Sequence, residues 1–111
     1  MGRKRATTLL GALLAATVAS PAYPAGNPDA ARPIISENCV SCHDVPGFKP
    51  KYGKAEVNAP DFQTIADQPE TYSADQIRQF LQHPHYPMAK FVLSSSDIEN
   101  IIAFIQSLRH Q

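Results

Sequence analysis

The chain has 111 residues, with ten basic and ten acidic side chains and a formal charge of zero. That balance excludes the strong basic stripe a nucleic-acid binder needs. The length allows one small domain, whose modest core profits from a staple or a cofactor.

Arg3, Lys4 and Arg5 open the chain, and an apolar run follows from Leu9 to Ala19. The run is too short to span a bilayer comfortably. Ser20, Pro21 and Ala22 offer small residues at the positions a signal peptidase reads. This pattern predicts a secretory leader over 1–22, cleaved after Ala22, ahead of a single domain over 23–111. The other reading is an uncleaved membrane anchor. Cleavage removes three of the ten basic residues, so seven face ten acidic ones, a charge of −3.

Residues 23–28, rich in Pro, Gly and Asn, predict a flexible start to the mature chain. A first helix then runs from about Asp29 or Pro33, with Ile34 and Ile35 as its buried stripe. Pro33 is acceptable in a first turn and otherwise kinks the helix. The helix leads into Cys39-Val40-Ser41-Cys42-His43. This is the spacing of covalent haem attachment. Two thiols on one helical turn can each add to a vinyl group of the same haem, and the following histidine can supply the proximal imidazole. Competing readings are weaker. A thioredoxin-like pair needs a strand-helix-strand context, which is not visible. A zinc site needs four ligands, drawing on His83 or His85 without a second cysteine pair. A disulfide leaves His43 unexplained.

From Asp44 to Pro60, prolines and glycines break any period and predict a long loop around one edge of a bound group. Its Lys49, Lys51 and Lys54 form either a docking patch for an acidic partner or a plain solvated loop, the latter slightly favoured. A short helix opens with Pro60 at its first position and turns Phe62 and Ile65 to one side. Ser73 with Gln76 forms a capping box for a helix to about His83, with Ile77, Phe80 and Leu81 buried. Next comes His83-Pro84-His85-Tyr86-Pro87-Met88. Met88 is the one methionine left after leader removal, and a thioether suits haem iron. His83 or His85 in its place would give bis-histidine iron of lower potential; both read as surface residues. Ser94 and Asp97 cap a last helix to about Arg109, with Leu93 and Ile98 as a staple. Ile98, Ile101, Ile102, Ile105 and Leu108 form its apolar face, widened by Phe104.

These parts, from Cys39-Val-Ser-Cys42-His43 through Ala59-Pro60-Asp61-Phe62 to Pro87-Met88 and the Asp97–Ile105 helix, resemble the class I monohaem c-type cytochromes over roughly residues 29–109. The resemblance implies an all-α cytochrome c fold. Crossed first and last helices and two shorter ones surround one covalently bound haem c. It places the helix crossing at Ala31 and Ile35 against Ile101 and Phe104. It implies His43 and Met88 as axial iron ligands, Cys39 and Cys42 as attachment points, and Pro60 as the carbonyl that receives His43 Nδ1–H. Pro33 and Ala89 depart from the family pattern. The implied role is a monomeric, periplasmic one-electron carrier and not an enzyme. It would exchange electrons with a periplasmic dehydrogenase, reductase or terminal oxidase, and Lys90 with the loop lysines would steer docking. A dedicated haem subunit of such a complex and a haem-based small-ligand sensor are the alternatives.

Overall fold

The structure is a computed structural model that describes residues 2–3, 9–19, 23–50, 53–88 and 91–110. The expected cleavage point at Ala22, Ala89, and the docking lysines Lys51 and Lys90 lie outside the described residues. Leu9, Leu10, Leu13, Leu14 and Val18 are all more than nine-tenths exposed, so this apolar stretch does not pack on the domain. Among the described residues no helix is long and apolar enough to cross a membrane.

Four helices make the domain: α1 (Pro28–Asn38), α2 (Phe62–Asp67), α3 (Ala74–Gln82) and α4 (Ser95–Ser107). Every multi-residue element among the described residues is helical, as the all-α expectation requires.

α1 starts one residue before Asp29, the earlier of the two expected positions. Asn27 caps it by accepting from Asp29 N–H, and Pro28 takes the first helical position, where no donor is needed. Pro33 therefore falls in the second turn, not the first. It removes one donor to the turn before it, and the helix continues through it. The buried stripe is Ala31 and Ile35, both fully buried, while Ile34 is half-buried. A small residue one turn before a branched one lets α4 come close. Ile101 and Phe104 on α4 are 1% and 4% exposed, and α1 packs on α4 more extensively than any other pair of helices.

Nor are residues 23–27 loose. Asn27 N–H donates to Asn100 Oδ1 at 2.7 Å, and the Tyr23 ring lies 3.8 Å from the Arg78 guanidinium carbon. A Cβ at Gly26 would meet Glu99 O at 2.0 Å. The segment is a strap laid across α4, and its composition signalled loop without signalling contact.

Pro60 does not open α2. Asp61 is the cap, accepting from Thr64 N–H at 2.7 Å and from Thr64 Oγ at 3.0 Å. These bonds hold its carboxyl below the usual carboxylate range. A carboxylate cap is a stronger start than a proline at the first position, so the helix begins one residue after Asp61. Both capping boxes form. Ser73 and Gln76 satisfy each other's backbone at 3.2 and 2.8 Å, and Ser94 and Asp97 do so at 3.1 and 2.9 Å.

The apolar face of α4 buries Ile98, Ile101, Ile102, Phe104 and Ile105. It stops before Arg109, whose Nε donates to Ala66 O at 2.9 Å instead of extending the helix. Gln63 Nε2 donates to Leu108 O at 2.7 Å, and His110 N–H donates to Asp67 at 2.8 Å. The last residues thus clasp α2. These bonds pull the Asp67 carboxyl down to about 2, the His110 backbone N–H contributing most.

On α3 the expected stripe is partly open. Leu81 is buried and Ile77 half-buried, but Phe80 is 40% exposed. Leu81 and Ile77 pack with the core, and all three side chains also line a cleft, Phe80 from outside the core. The same helix also buries Arg78, which reaches α4. Its Nε donates to Glu99 Oε1 at 2.6 Å and Nη2 to Oε2 at 3.0 Å. A further bond joins Nη1 to Asp75.

Candidate haem site

The turn after α1 is built by its own backbone. Cys39 N–H donates to Ile35 O, and the N–H groups of Cys42 and His43 return to Cys39 O at 3.1 and 2.9 Å. One helical turn therefore carries Cys39, Cys42 and His43. Two bonds then tie this turn to the approach to α2. Phe62 N–H donates to Asp44 O at 2.9 Å, and His43 Nδ1 lies 2.7 Å from Pro60 O. A carbonyl oxygen only accepts, so Nδ1 carries the proton and Nε2 keeps its lone pair for a metal.

No disulfide joins Cys39 and Cys42. Burial, with a smaller contribution from neighbouring Cys42, pushes the Cys39 thiol up to about 12. This buried position favours an uncharged sulfur, such as that of a thioether. Among the described residues no group of three or more His, Cys, Asp or Glu is gathered as a metal cage. His83 and His85 are exposed; the His85 ring sits edge-on to Phe80 at 4.8 Å.

Cys39 and His43 open onto a cleft of about 370 Å³. That is within the range of small-molecule and cofactor pockets. Its far walls come from α2, α3 and α4 through Ile65, Ile77, Leu81 and Ile105. Met88 lines the same cleft, from a turn closed by its N–H donating to His85 O at 2.9 Å. An adjoining cavity of about 160 Å³ shares His43, Pro60, Phe80 and Met88, and adds Cys42. The structure thus brings Cys39, His43, Pro60 and Met88 to one cleft and Cys42 to the cavity beside it. Besides His43, the polar side chains on the larger cavity's wall are Thr71, Tyr72 and Gln76.

These features fit a haem: an apolar slot, two thiols at its rim, an imidazole with a free Nε2, and a thioether. Of the loop lysines, Lys54 has its Nζ held by Asp44 Oδ2 at 2.6 Å. Sequence reasoning did not find the second hold on His43. The Phe62 ring packs against the imidazole with centroids 5.4 Å apart, tilted at 60°. Phe62 was legible only as an apolar helix position, because the contact depends on how the long loop folds back.

A sequence model described as Cytochrome c matches residues 29–109. A curated relative, cytochrome c-552 of Bradyrhizobium diazoefficiens, is 35% identical over 71 residues. The match covers 64% of this chain and 64% of the relative, so the chain spans a little under two thirds of that protein's length. No solved structure matches the chain significantly. With the family match spanning most of the chain, the helical fold and the Cys39–His43 turn have one common explanation: the chain belongs to the cytochrome c family, whose members carry a covalently bound haem c.

Proposed function

We propose that the chain is a one-electron carrier, exported to the periplasm, in which Cys39 and Cys42 would link haem c and His43 and Met88 would hold its iron. One observation carries the reading: the imidazole fixed through Nδ1 on Pro60 and the Met88 thioether line the same apolar cleft. When bound, the haem supplies reversible one-electron exchange between ferric and ferrous iron. Pro60 holds the His43 ring so that Nε2, and not Nδ1, meets the metal. Met88 would provide a soft thioether ligand, which raises the reduction potential of haem iron. With His43 and Met88 both holding the group, the chain would offer a substrate no place at the iron, which favours a carrier over an enzyme.

Ile65, Ile101 and Ile105 keep water from the cleft, and such an apolar shell tunes the potential. Thr71, Tyr72 and Gln76 would take the haem's carboxylates. Gln76 uses its oxygen on Ser73 N–H, so its amide protons stay free to donate. The residues following Cys42 would rim the exposed edge, where a redox partner docks through a small, fast-dissociating interface. That partner is a periplasmic dehydrogenase, reductase or oxidase.

Visible and near-infrared spectra of the haem-loaded protein, beside a Met88→Ala variant, test the reading. Low-spin bands with a near-infrared iron–sulfur band that the variant loses are expected. Low-spin spectra without that band would transfer ligation to His83 or His85, and high-spin spectra in the unaltered protein would refute the carrier.

A further inference from the structure

We infer that Phe62 is a positioning residue for the His43 imidazole, and that it ties the ring's orientation to the helix crossing behind it. The inference rests on His43 being the iron ligand. One hydrogen bond, Nδ1 to Pro60 O at 2.7 Å, anchors a single edge of the ring. About the line of that bond the ring is free to rock. Phe62 meets the imidazole at 5.4 Å and 60°, within the range of favourable aromatic pairs, and closes off that rocking.

Phe62 is itself immobile. It is 4% exposed, and its backbone N–H is bonded to Asp44 O, one residue beyond His43. Its ring packs on Phe104 of α4 at 6.4 Å, and Phe104 packs edge-on against Phe48 at 5.8 Å. Arg32 of α1 closes the series from outside, its guanidinium carbon 4.7 Å from the Phe48 centroid and 6.0 Å from that of Phe104. Four aromatic rings and one cation therefore run from an exposed α1 residue, past the α1–α4 interface, to the proximal imidazole. Pro60 sets which nitrogen faces the metal; Phe62 sets the plane in which it does so. Groups that orient a ligand in this way tune the metal it holds.

The test uses the haem-loaded protein with Phe62→Leu, which keeps most of the volume and removes the ring. Phe104→Leu alters the support without touching His43, and Ile102→Val serves as a core control away from the cleft. Exchange of the His43 Nδ1 proton in the reduced protein should quicken about two- to tenfold in Phe62→Leu, the span one aromatic pair supplies. It should quicken less in Phe104→Leu. The ferric electron-paramagnetic g-values should move in the same order, with the near-infrared iron–sulfur band retained. Should Phe62→Leu fail to fold, Phe104→Leu against Ile102→Val decides. Exchange and g-values equal to those of Ile102→Val would overturn the inference. Absence of imidazole ligation in the unaltered protein would overturn it together with the ligand assignment, whereas its presence with unmoved readouts overturns this inference alone.

Discussion

Replacing Glu99 with alanine should be among the most damaging single changes outside the haem cleft. The Arg78 side chain is 9% exposed and that of Glu99 13%. Both guanidinium-to-Glu99 bonds run from α3 to α4, and they raise the Arg78 pKa further above its already high value. A guanidinium keeps its proton in proteins whatever its partner, so Arg78 stays charged when Glu99 is removed. Asp75 remains, but its side chain is 81% exposed, so it contributes no more than about 1 kcal/mol. Breaking a buried pair from one side costs roughly 3–5 kcal/mol, because a charge is left buried and unpaired. The lower end applies here because Asp75 and the Tyr23 ring stay beside Arg78. About 3 kcal/mol lowers Tm by roughly 12–24 °C in a domain of this size. Thermal and denaturant unfolding of the haem-loaded protein would measure it. Replacing both partners, as Arg78→Met with Glu99→Leu, should recover most of the loss, since apolar packing can stand in for a buried pair. A Glu99→Ala protein within about 0.5 kcal/mol of wild type, the scatter of ordinary surface changes, would refute the buried-charge account.

Two further outcomes follow from the strap and the clasp. Gly26→Ala puts a methyl group 2.0 Å from Glu99 O and 2.3 Å from its carbonyl carbon, both backbone atoms, so the strap must lift. Amide hydrogen exchange at Asn27 should rise, and the Tyr23 ring should leave Arg78; unchanged protection at Asn27 would contradict the packing. At the other end, Asp67 titrates at about 2 in the fold, below its ordinary value of 3.8, chiefly through the His110 backbone bond. A depressed acid stabilises the fold fully above the ordinary value and loses that contribution as pH falls from there toward 2. Asp67→Asn should flatten the stability curve across that window, and acid titrations of the two proteins would show it.

Periodicity and caps were enough to find α3 and α4, because Ser73-x-x-Gln76 and Ser94-x-x-Asp97 put the helix start in four adjacent letters. The attachment turn was equally legible, since its chemistry needs fixed spacing. Ala31 and Ile35 were placed at the crossing by family likeness, while periodicity alone had pointed to Ile34 with Ile35. What stayed hidden depended on distant segments meeting. Phe80 has the right spacing for a core residue, yet its face is turned to the cleft. Arg78 looks like any solvated helix arginine until Glu99, a helix away, comes beside it. Pro60 carries a helix-opening signal, but Asp61 offers a better cap, and the proline's carbonyl is engaged by His43 instead.

The clasp on α2 has a practical bearing. Arg109 and His110 are bound to Ala66 and Asp67, and the strap at the other end is pinned to Asn100 and Glu99. Neither end of the domain is a loose thread. An affinity tag joined directly at residue 110, or a surface tether pulled from it, would tug on the helix whose first turn holds Phe62 and whose approach holds Pro60. Immobilising the protein on an electrode through that end would thus strain the metal's own surroundings. A spacer, or attachment through an exposed side chain such as Glu37 on the outer face of α1, would leave them at rest.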